Sequence, residues 1–393
     1  MKLIKPGDIH HEGAPIYSVD AHPTEGKFAT GGKGDQGGGL VVIWNMRTLF
    51  DAKTDLDPAM CRLDHSDCVN CVRWSKSGQL LASAGDDSQI SVWKCHGRSK
   101  SSGTLGSARP AELEHWKSIV VCRGHAGDIL HIEWSAGDKY LASCSVDCKV
   151  IVWNGQNLPE KLKVLDGHEN FVKGVSWDPM GRYLASQSAD RTIRIWISPT
   201  WGLVKTICEP FEECGDTTHA LRLDWCTDGM SVLSAHAINE GGPTAQLIHR
   251  GDNWELLQDL VGHRKAVSSV RFAPMLFYKE LKGKRKKTSV VALGSRDRSV
   301  SLWQLPFKRP RFVFHNLFTQ SVMDLTWSQF KKNSLLVCSN DGSVACFIFE
   351  SNELGSPFTL QEMDKYYKQQ FGKLPPGTRI RSEAAMEQNG IVQ

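Results

Sequence analysis

Four stretches of this chain follow one pattern: LLASAGDDSQISVW (80–93), YLASCSVDCKVIVW (140–153), YLASQSADRTIRIW (183–196) and VALGSRDRSVSLW (291–303). Each reads as a short apolar strand, a turn built on Asp, and a strand of period-two alternation ending in Trp. A further strand with an aromatic end precedes each one: CVRW (71–74), HIEW (131–134), GVSW (174–177) and SVRF (269–272). Before that strand comes a His-bearing turn, at Asp64-His65, Gly124-His125, Gly167-His168 and Gly262-His263. A unit of this size cannot bury its apolar face alone and must stack on its neighbours, so tandem repetition constrains the architecture before any single residue does.

Three weaker copies complete the set: SVDAHP…FATGG…VVIW (18–44), LRLDW…SVLSAHA…TAQLI (221–248) and DLTW…LLVCSNDGSVACF (324–347). Trp153 and Trp196 lie 43 residues apart. That period, with Gly-His turns and a terminal Trp, is the WD-repeat signature of four strands per propeller blade. The expected fold is therefore all-β: a seven-bladed WD-repeat β-propeller over residues 1–350, followed by a short polar C-terminal tail, 351–393. Within a blade, a strand Ser, a turn Asp, the His and the Trp can form one buried hydrogen-bonded chain that fixes register. The expected sets are His65, Ser83, Asp87 and Trp93; His125, Ser143, Asp147 and Trp153; His168, Ser186, Asp190 and Trp196; and His263, Asp297 and Trp303. Lys2–Ile4 is expected to pair with the last blade and close the ring, leaving only short protected edges.

In the fifth copy, LSAHAINEGGPTAQLIHR (233–250), Ser234 arrives on time, but the Asp is missing and Ile248 stands in the Trp position. His219 is a candidate for the His role, and AINEGGP is expected to project as a longer turn than its neighbours.

Several patterns that imitate chemistry fail on context. The Ser/His/Asp set recurs blade after blade, whereas a nucleophile is needed once. GKGDQG (32–37) matches a dinucleotide loop but is followed by the strand LVVIW, where that loop requires a helix N-terminus. Cys68 and Cys71 form a C-x-x-C whose members face opposite sides of a strand. No metal, cofactor or catalytic residue is expected, and the chain reads as a binding platform. No run of 18 apolar residues suits a membrane span, and the start, MKLIKPGDIHHEG, lacks a signal-type apolar region. Twelve cysteines without such a signal suggest reduced thiols, hence cytosol or nucleus. Net charge is only +4 over 393 residues, so composition carries no strong polyanion signal. Positive charge concentrates in KGKRKK (282–287), read as a solvated loop, a nucleic-acid contact or a nuclear import signal of Lys282, Lys284, Arg285, Lys286 and Lys287. SPFTLQEMDKYYKQQFG (356–372) is expected to form a short helix stopping at Gly372, and the remainder to be disordered.

FATGG…VVIWNM (28–46), CVNCVRWS (68–75), FVKGVSWDP (171–179), PFEECGDTTHALRLDW (210–225), SAHAINEGGPTAQLI (234–248), VGHRKAV (261–267) and ELGSP (353–357) together resemble the N-terminal propeller of the HIRA/Hir family of histone chaperone subunits. The resemblance runs from Met1 to about Gly372. It implies a non-catalytic nuclear scaffold in transcriptional regulation, docking a ubinuclein-type subunit while the complex assembles a replacement variant of histone H3 with H4 into chromatin. The anti-silencing-function chaperone is implied as a partner only if the chain continues beyond 393. The middle subunit of chromatin assembly factor is the nearest alternative.

Partner contacts are expected on the rim formed by inner-strand starts and by the residues around each turn Asp, positions free of core duty. These are Asn70, Asp86, Asp128, Leu130, Phe171, Lys173, Leu221, Arg296 and Met323, with His236, Asn239 and Glu240 from the odd fifth copy. Arg222, between Leu221 and Leu223 on an inner strand, must find a partner inside or outside the chain.

Overall fold

The computed structural model describes residues 1–34, 37–51, 56–101, 111–251, 253–281, 283–350 and 353–378. Its strands form seven sheets around one axis, each an antiparallel blade of four principal strands. Blade 3 shows the plan: inner strand Ile129–Trp134, then Tyr140–Ser145, Val150–Asn154 and outer strand Lys161–Leu165. The inner strand is buried throughout because one face meets the channel and the other a neighbouring blade. The outer strand is exposed or half-buried until Leu165. Blade 4 repeats this with Val172–Trp177, Tyr183–Ser188, Ile193–Ile197 and Gly202–Ile207. The seven-bladed all-β architecture is thus the one the repeat dictates.

The ring closes through its own N-terminus. Lys2, Leu3 and Ile4 pair antiparallel with Ile348, Phe347 and Cys346, making the N-terminal strand the outer strand of blade 7. The backbone is thereby shared between the two ends of the repeat array, and no long unpaired edge remains at the junction.

Two blades extend beyond the plan. In blade 2 the third and outer strands, Gln89–Ser101 and Ala111–Arg123, lengthen into a ribbon. In blade 6 the inner and second strands, Val267–Leu281 and Lys284–Ser295, do the same. KGKRKK is therefore not a loop. Lys284, Arg285, Lys286 and Lys287 lie on a strand opposite Leu281, Glu280, Lys279 and Tyr278, because period-two pairing continues past Phe272 after a bulge. Lys282 lies outside the described residues.

After blade 7 the chain continues along the underside of the ring. Ser356–Pro357 adds a short strand to blade 6, and Leu360–Phe371 forms a helix. Thr359 and Glu362 make a reciprocal capping box, and Gly372 ends the helix at φ 72°. The helix thus begins after Pro357 and stops at the expected glycine. It is tied to the ring by Tyr367, whose hydroxyl donates to Thr227 O, and by Phe371, beside Gly229 and the guanidiniums of Arg182 and Arg250. Pro376 then rests on Gly137. Residues 379–393, most of the segment expected to be disordered, lie outside the described residues. Among the described residues no helix is long and apolar enough to cross a membrane.

Candidate interaction face

The expected hydrogen-bonded chains form most fully in blades 3 and 4. His125 meets Ser143 Oγ at 2.8 Å and Asp147 at 2.9 Å, and Trp153 Nε1 donates to the same hydroxyl at 2.9 Å. In blade 4, His168 meets Ser186 at 2.8 Å and Asp190 at 2.7 Å, with Trp196 donating to Ser186 at 2.9 Å. Burial alone would raise the two carboxyls, but hydrogen bonds from the imidazoles outweigh it and hold both at about 2. Blade 2 is looser: His65 reaches Ser83 at 2.8 Å, while Asp87 stands 3.9 Å away.

Blade 6 solves the problem from another strand. Leu293 occupies the usual serine position, and its cross-strand partner Ser301 supplies the hydroxyl, 2.8 Å from His263 and accepting from Trp303 at 2.9 Å. Asp297 joins through Ser299, which lies 2.9 Å from His263 Nδ1. Blade 1 has a chain that the sequence reading missed: His11 to Thr30 at 2.9 Å, and Trp44 to Thr30 at 2.7 Å. The signal was present, since His11 precedes Thr30 by 19 residues, against 18 in blades 2, 3 and 4. Among the described residues His11 Nδ1 has no hydrogen-bond partner, and burial pushes its pKa down to about 4.

Inside the channel, Arg222 finds internal partners. It is fully buried, 3.1 Å from Asp324. It donates to Tyr17 O at 2.7 Å, Met323 O at 3.0 Å and Asn70 O at 2.7 Å. Arg73 grips the same carboxylate at 2.8 Å and meets His131 at 3.0 Å. Burial would raise Asp324, yet Arg222 and Arg73 hold it well below the ordinary carboxylate range. Four blades are thus knotted at one buried point, because residues 73, 131, 222 and 324 come from inner strands or inner segments of blades 2, 3, 5 and 7. A second layer holds Asp224, Glu133 and Arg271, where burial raises Asp224 to about 6.

Other rim candidates divide by exposure. Asp86, Phe171, Asn239 and Glu240 are exposed, and Asp128 and Arg296 half-buried. Asn70, Leu130, Lys173, Leu221, His236 and Met323 are buried in the isolated ring. Asn70 is held by Asp86 at 2.7 Å and by Ile129 O at 3.1 Å. Lys173 is held by Asp216 and Thr218 O. Asn239 bonds Asp259 at 2.7 Å. His219 does not fill the His role in blade 5. It lies in the channel mouth, 3.2 Å from Asn70 and with its ring tilted against Tyr17 at 5.2 Å, because the 208–220 segment loops inward. The expected turn AINEGGP instead folds as a hairpin, Ala237–Asn239 against Gly242–Thr244, with Glu240 and Gly241 at φ 50° and 73°.

At the corner of blades 4 and 5, Gln187 donates to His236 O at 3.1 Å and accepts from Ala235 N at 3.0 Å. Beside this bridge lies a small cavity of about 20 Å³, bounded by Ser188, Ala189, Phe211, Thr218, Leu221 and His236. Among the described residues no group of three or more His, Cys, Asp or Glu side chains is placed to hold a metal ion.

Fold and face together define a WD-repeat propeller of the kind that presents a rigid rim to other chains. The family described as the CAF1B/HIR1 beta-propeller domain matches residues 1–213, and the WD domain, G-beta repeat, matches residues 254–304. The chain belongs to this propeller family. It is 51% identical over 384 residues to Protein HIRA of Xenopus laevis and to Protein HIRA of Homo sapiens, covering 95% of this chain and 38% of each relative. It is 50% identical over 383 residues to the Protein HIRA homolog of Drosophila melanogaster, covering 95% of this chain and 36% of the relative. The chain therefore spans well under half the length of these curated relatives.

Proposed function

We propose that this chain is the docking platform of a HIRA-type histone chaperone, a non-catalytic scaffold that works on chromatin in the nucleus. The observation that carries this reading is the 51% identity to Protein HIRA over 95% of the chain, which spans the whole ring and not only the common WD signature. The geometry supports a scaffold. In blades 2, 3, 4 and 6, each hydroxyl of the recurrent Ser–His–Trp sets is engaged by both a Trp N–H and a His, leaving none poised as a nucleophile.

In this reading the ring docks a ubinuclein-type subunit, and the assembled complex delivers replacement histone H3 with H4. Histone contact runs through the complex, and the anti-silencing-function chaperone binds sequence beyond residue 393 where the chain continues. The exposed rim residues Asp86, Phe171, Asn239 and Glu240, with half-buried Asp128 and Arg296, supply the contacts, and buried Leu130, Leu221 and Met323 back them. Lys284, Arg285, Lys286 and Lys287, exposed on the blade 6 ribbon, serve nuclear import together with Lys282.

The test is stoichiometric capture: the purified ring should retain a ubinuclein-type chain from nuclear extract, identified by mass spectrometry, with no turnover of any substrate. Recovery of the large subunit of chromatin assembly factor in its place would move the chain to the other branch of its family. Recovery of cytosolic partners alone would overturn the nuclear reading.

A further inference from the structure

The cavity at the corner of blades 4 and 5 combines two features found together nowhere else among the described residues. His236 is 6% exposed, and its Nδ1 has no hydrogen-bond partner. Its neighbours Gln187 and Ser188 are committed. The Gln187 amide is used in both directions. Ser188 Oγ bonds Asn170 O and Phe171 O and accepts from Asp190 N. Beside the lining residues Ser188 and Ala189 stands Phe171, 41% exposed and the only aromatic among the exposed large apolar side chains of the described residues. Its backbone carbonyl accepts from Ala189 N at 2.9 Å and from Ser188 Oγ at 3.0 Å.

An interior volume of about 20 Å³ admits one water or one small polar group. A buried ring nitrogen without a partner carries a desolvation cost that either occupant relieves. The charges around it choose between kinds of group. Arg191 and Arg296 lie on the two flanking turns, and burial together with the nearby Arg296 guanidinium holds the His236 pKa down at about 4. The one carboxylate in the lining, Asp216, is already neutralised by Lys173. Cys214, the remaining titratable group, is a thiol pushed up to about 11 by burial and stays uncharged. The corner is thus left net positive beside a hydrogen-bonding vacancy and an apolar anchor.

We propose that this corner receives an extended peptide segment of the docked subunit, an apolar side chain packing on Phe171 and an adjacent Asp or Glu carboxylate entering the cavity to bond His236 Nδ1. The inference rests on the docking-platform reading and deepens it by naming one locus and the chemistry of its occupant. The arrangement is an anchor residue beside a desolvated polar contact, the pattern in which few side chains carry most of an interface.

The experiment measures binding of the purified ubinuclein-type subunit to the full chain. Phe171→Ala, on an exposed side chain, should weaken binding about tenfold without altering the melting temperature. His236→Ala should also cost about tenfold, as expected for losing a hydrogen bond to a charged group. His236→Asn, which keeps an N–H donor near the Nδ1 position, should restore most of that loss. Wild-type binding should tighten as pH falls from about 7 toward about 5, because the carboxylate raises the imidazole above its free value of about 4, and the His236→Asn variant should lose that dependence. A wild-type chain that binds no such subunit defeats the docking reading itself. Firm wild-type binding, unchanged by either alanine variant, means that the cavity holds only water and overturns this inference alone.

Discussion

In blade 4, Ser186 is clasped by His168 and Trp196, and His168 by Asp190, all within one sheet. In blade 5, Ser234 instead takes a backbone N–H from Gln246 at 2.8 Å, and Ile248 fills the Trp position. Blade 5 borrows its restraint from outside. Gln187 of blade 4 bridges Ala235 and His236, Arg222 is locked to carbonyls of three other segments, and Trp225 and Trp254 pack with Tyr183 at 5.5–6.4 Å. The same register is therefore reached by two routes. An internal clasp makes a blade self-sufficient and closes its upper edge, whereas borrowed restraint leaves that edge available for a hairpin and a cavity.

The largest expected effect comes from cutting the borrowed restraint. Asp324→Asn removes the charge shared by Arg222 and Arg73 and should destabilise the ring by about 3–5 kcal/mol in urea denaturation. Amide exchange should show the backbone N–H groups of Arg222 and Leu223 losing protection before those of blade 4. Equal loss in both blades would erase the contrast.

Serine deletions test it more gently. Ser186→Ala leaves His168 Nε2 and Trp196 Nε1 without their shared partner and should cost about 2–3 kcal/mol. Ser234→Ala forfeits one bond to a backbone N–H and should cost about 1 kcal/mol. Equal costs would mean that blade 4 gains nothing from its clasp.

Acid separates the blades by chemistry. Asp147 and Asp190 have folded values near 2, below the ordinary 3.8 of an unfolded Asp. A depressed carboxyl stabilises the fold above its unfolded pKa, and that contribution is lost as pH falls through the folded value. Stability should therefore drop between about pH 4 and pH 2, and the Asp147→Asn/Asp190→Asn double variant should flatten that slope. Ser234→Ala should keep the wild-type slope, because blade 5 has no such pair.

These contrasts also explain what could be read from sequence. Seven blades and the sets of blades 3 and 4 were legible because they depend on short-range spacing, 18 residues from His to Ser and 10 from Ser to Trp, and ring closure followed from the repeat plan, which leaves one outer strand for the N-terminus to supply. Ser301 escaped because it acts through cross-strand register, and no linear motif marks a residue opposite Leu293. His219 was assigned to the wrong place because the irregular 208–220 segment turns it into the channel, a path set by tertiary contacts with Asn70 and Tyr17. The need for an Arg222 partner was legible from a charge between two leucines, but Asp324 lies 102 residues further on, across the ring. KGKRKK was read as a loop by composition, although the strand pattern before it had not ended. Of the candidate rim, sequence gave position along each repeat but not exposure. Asn70 and Lys173 stand at rim positions, yet Asp86 in one case and Asp216 in the other already hold their side chains.

The smallest expected effect on stability is also the sharpest test of what blade 5 is for. Replacing 237–243 by the short Ser-x-Asp turn of blade 4 removes the hairpin and the bond that Asn239 makes to Asp259. It cannot rebuild the clasp, because His219 is held in the channel mouth and Ile248 has no side-chain N–H to donate. The exchange therefore leaves the blade's borrowed restraints intact and should change stability by about 1 kcal/mol or less. If the upper edge of blade 5 exists to meet a partner, capture of the ubinuclein-type subunit should fall severalfold while the ring still melts as wild type. Undiminished capture would mean that the fifth repeat merely lost its clasp, with contact made at Phe171 and elsewhere on the rim.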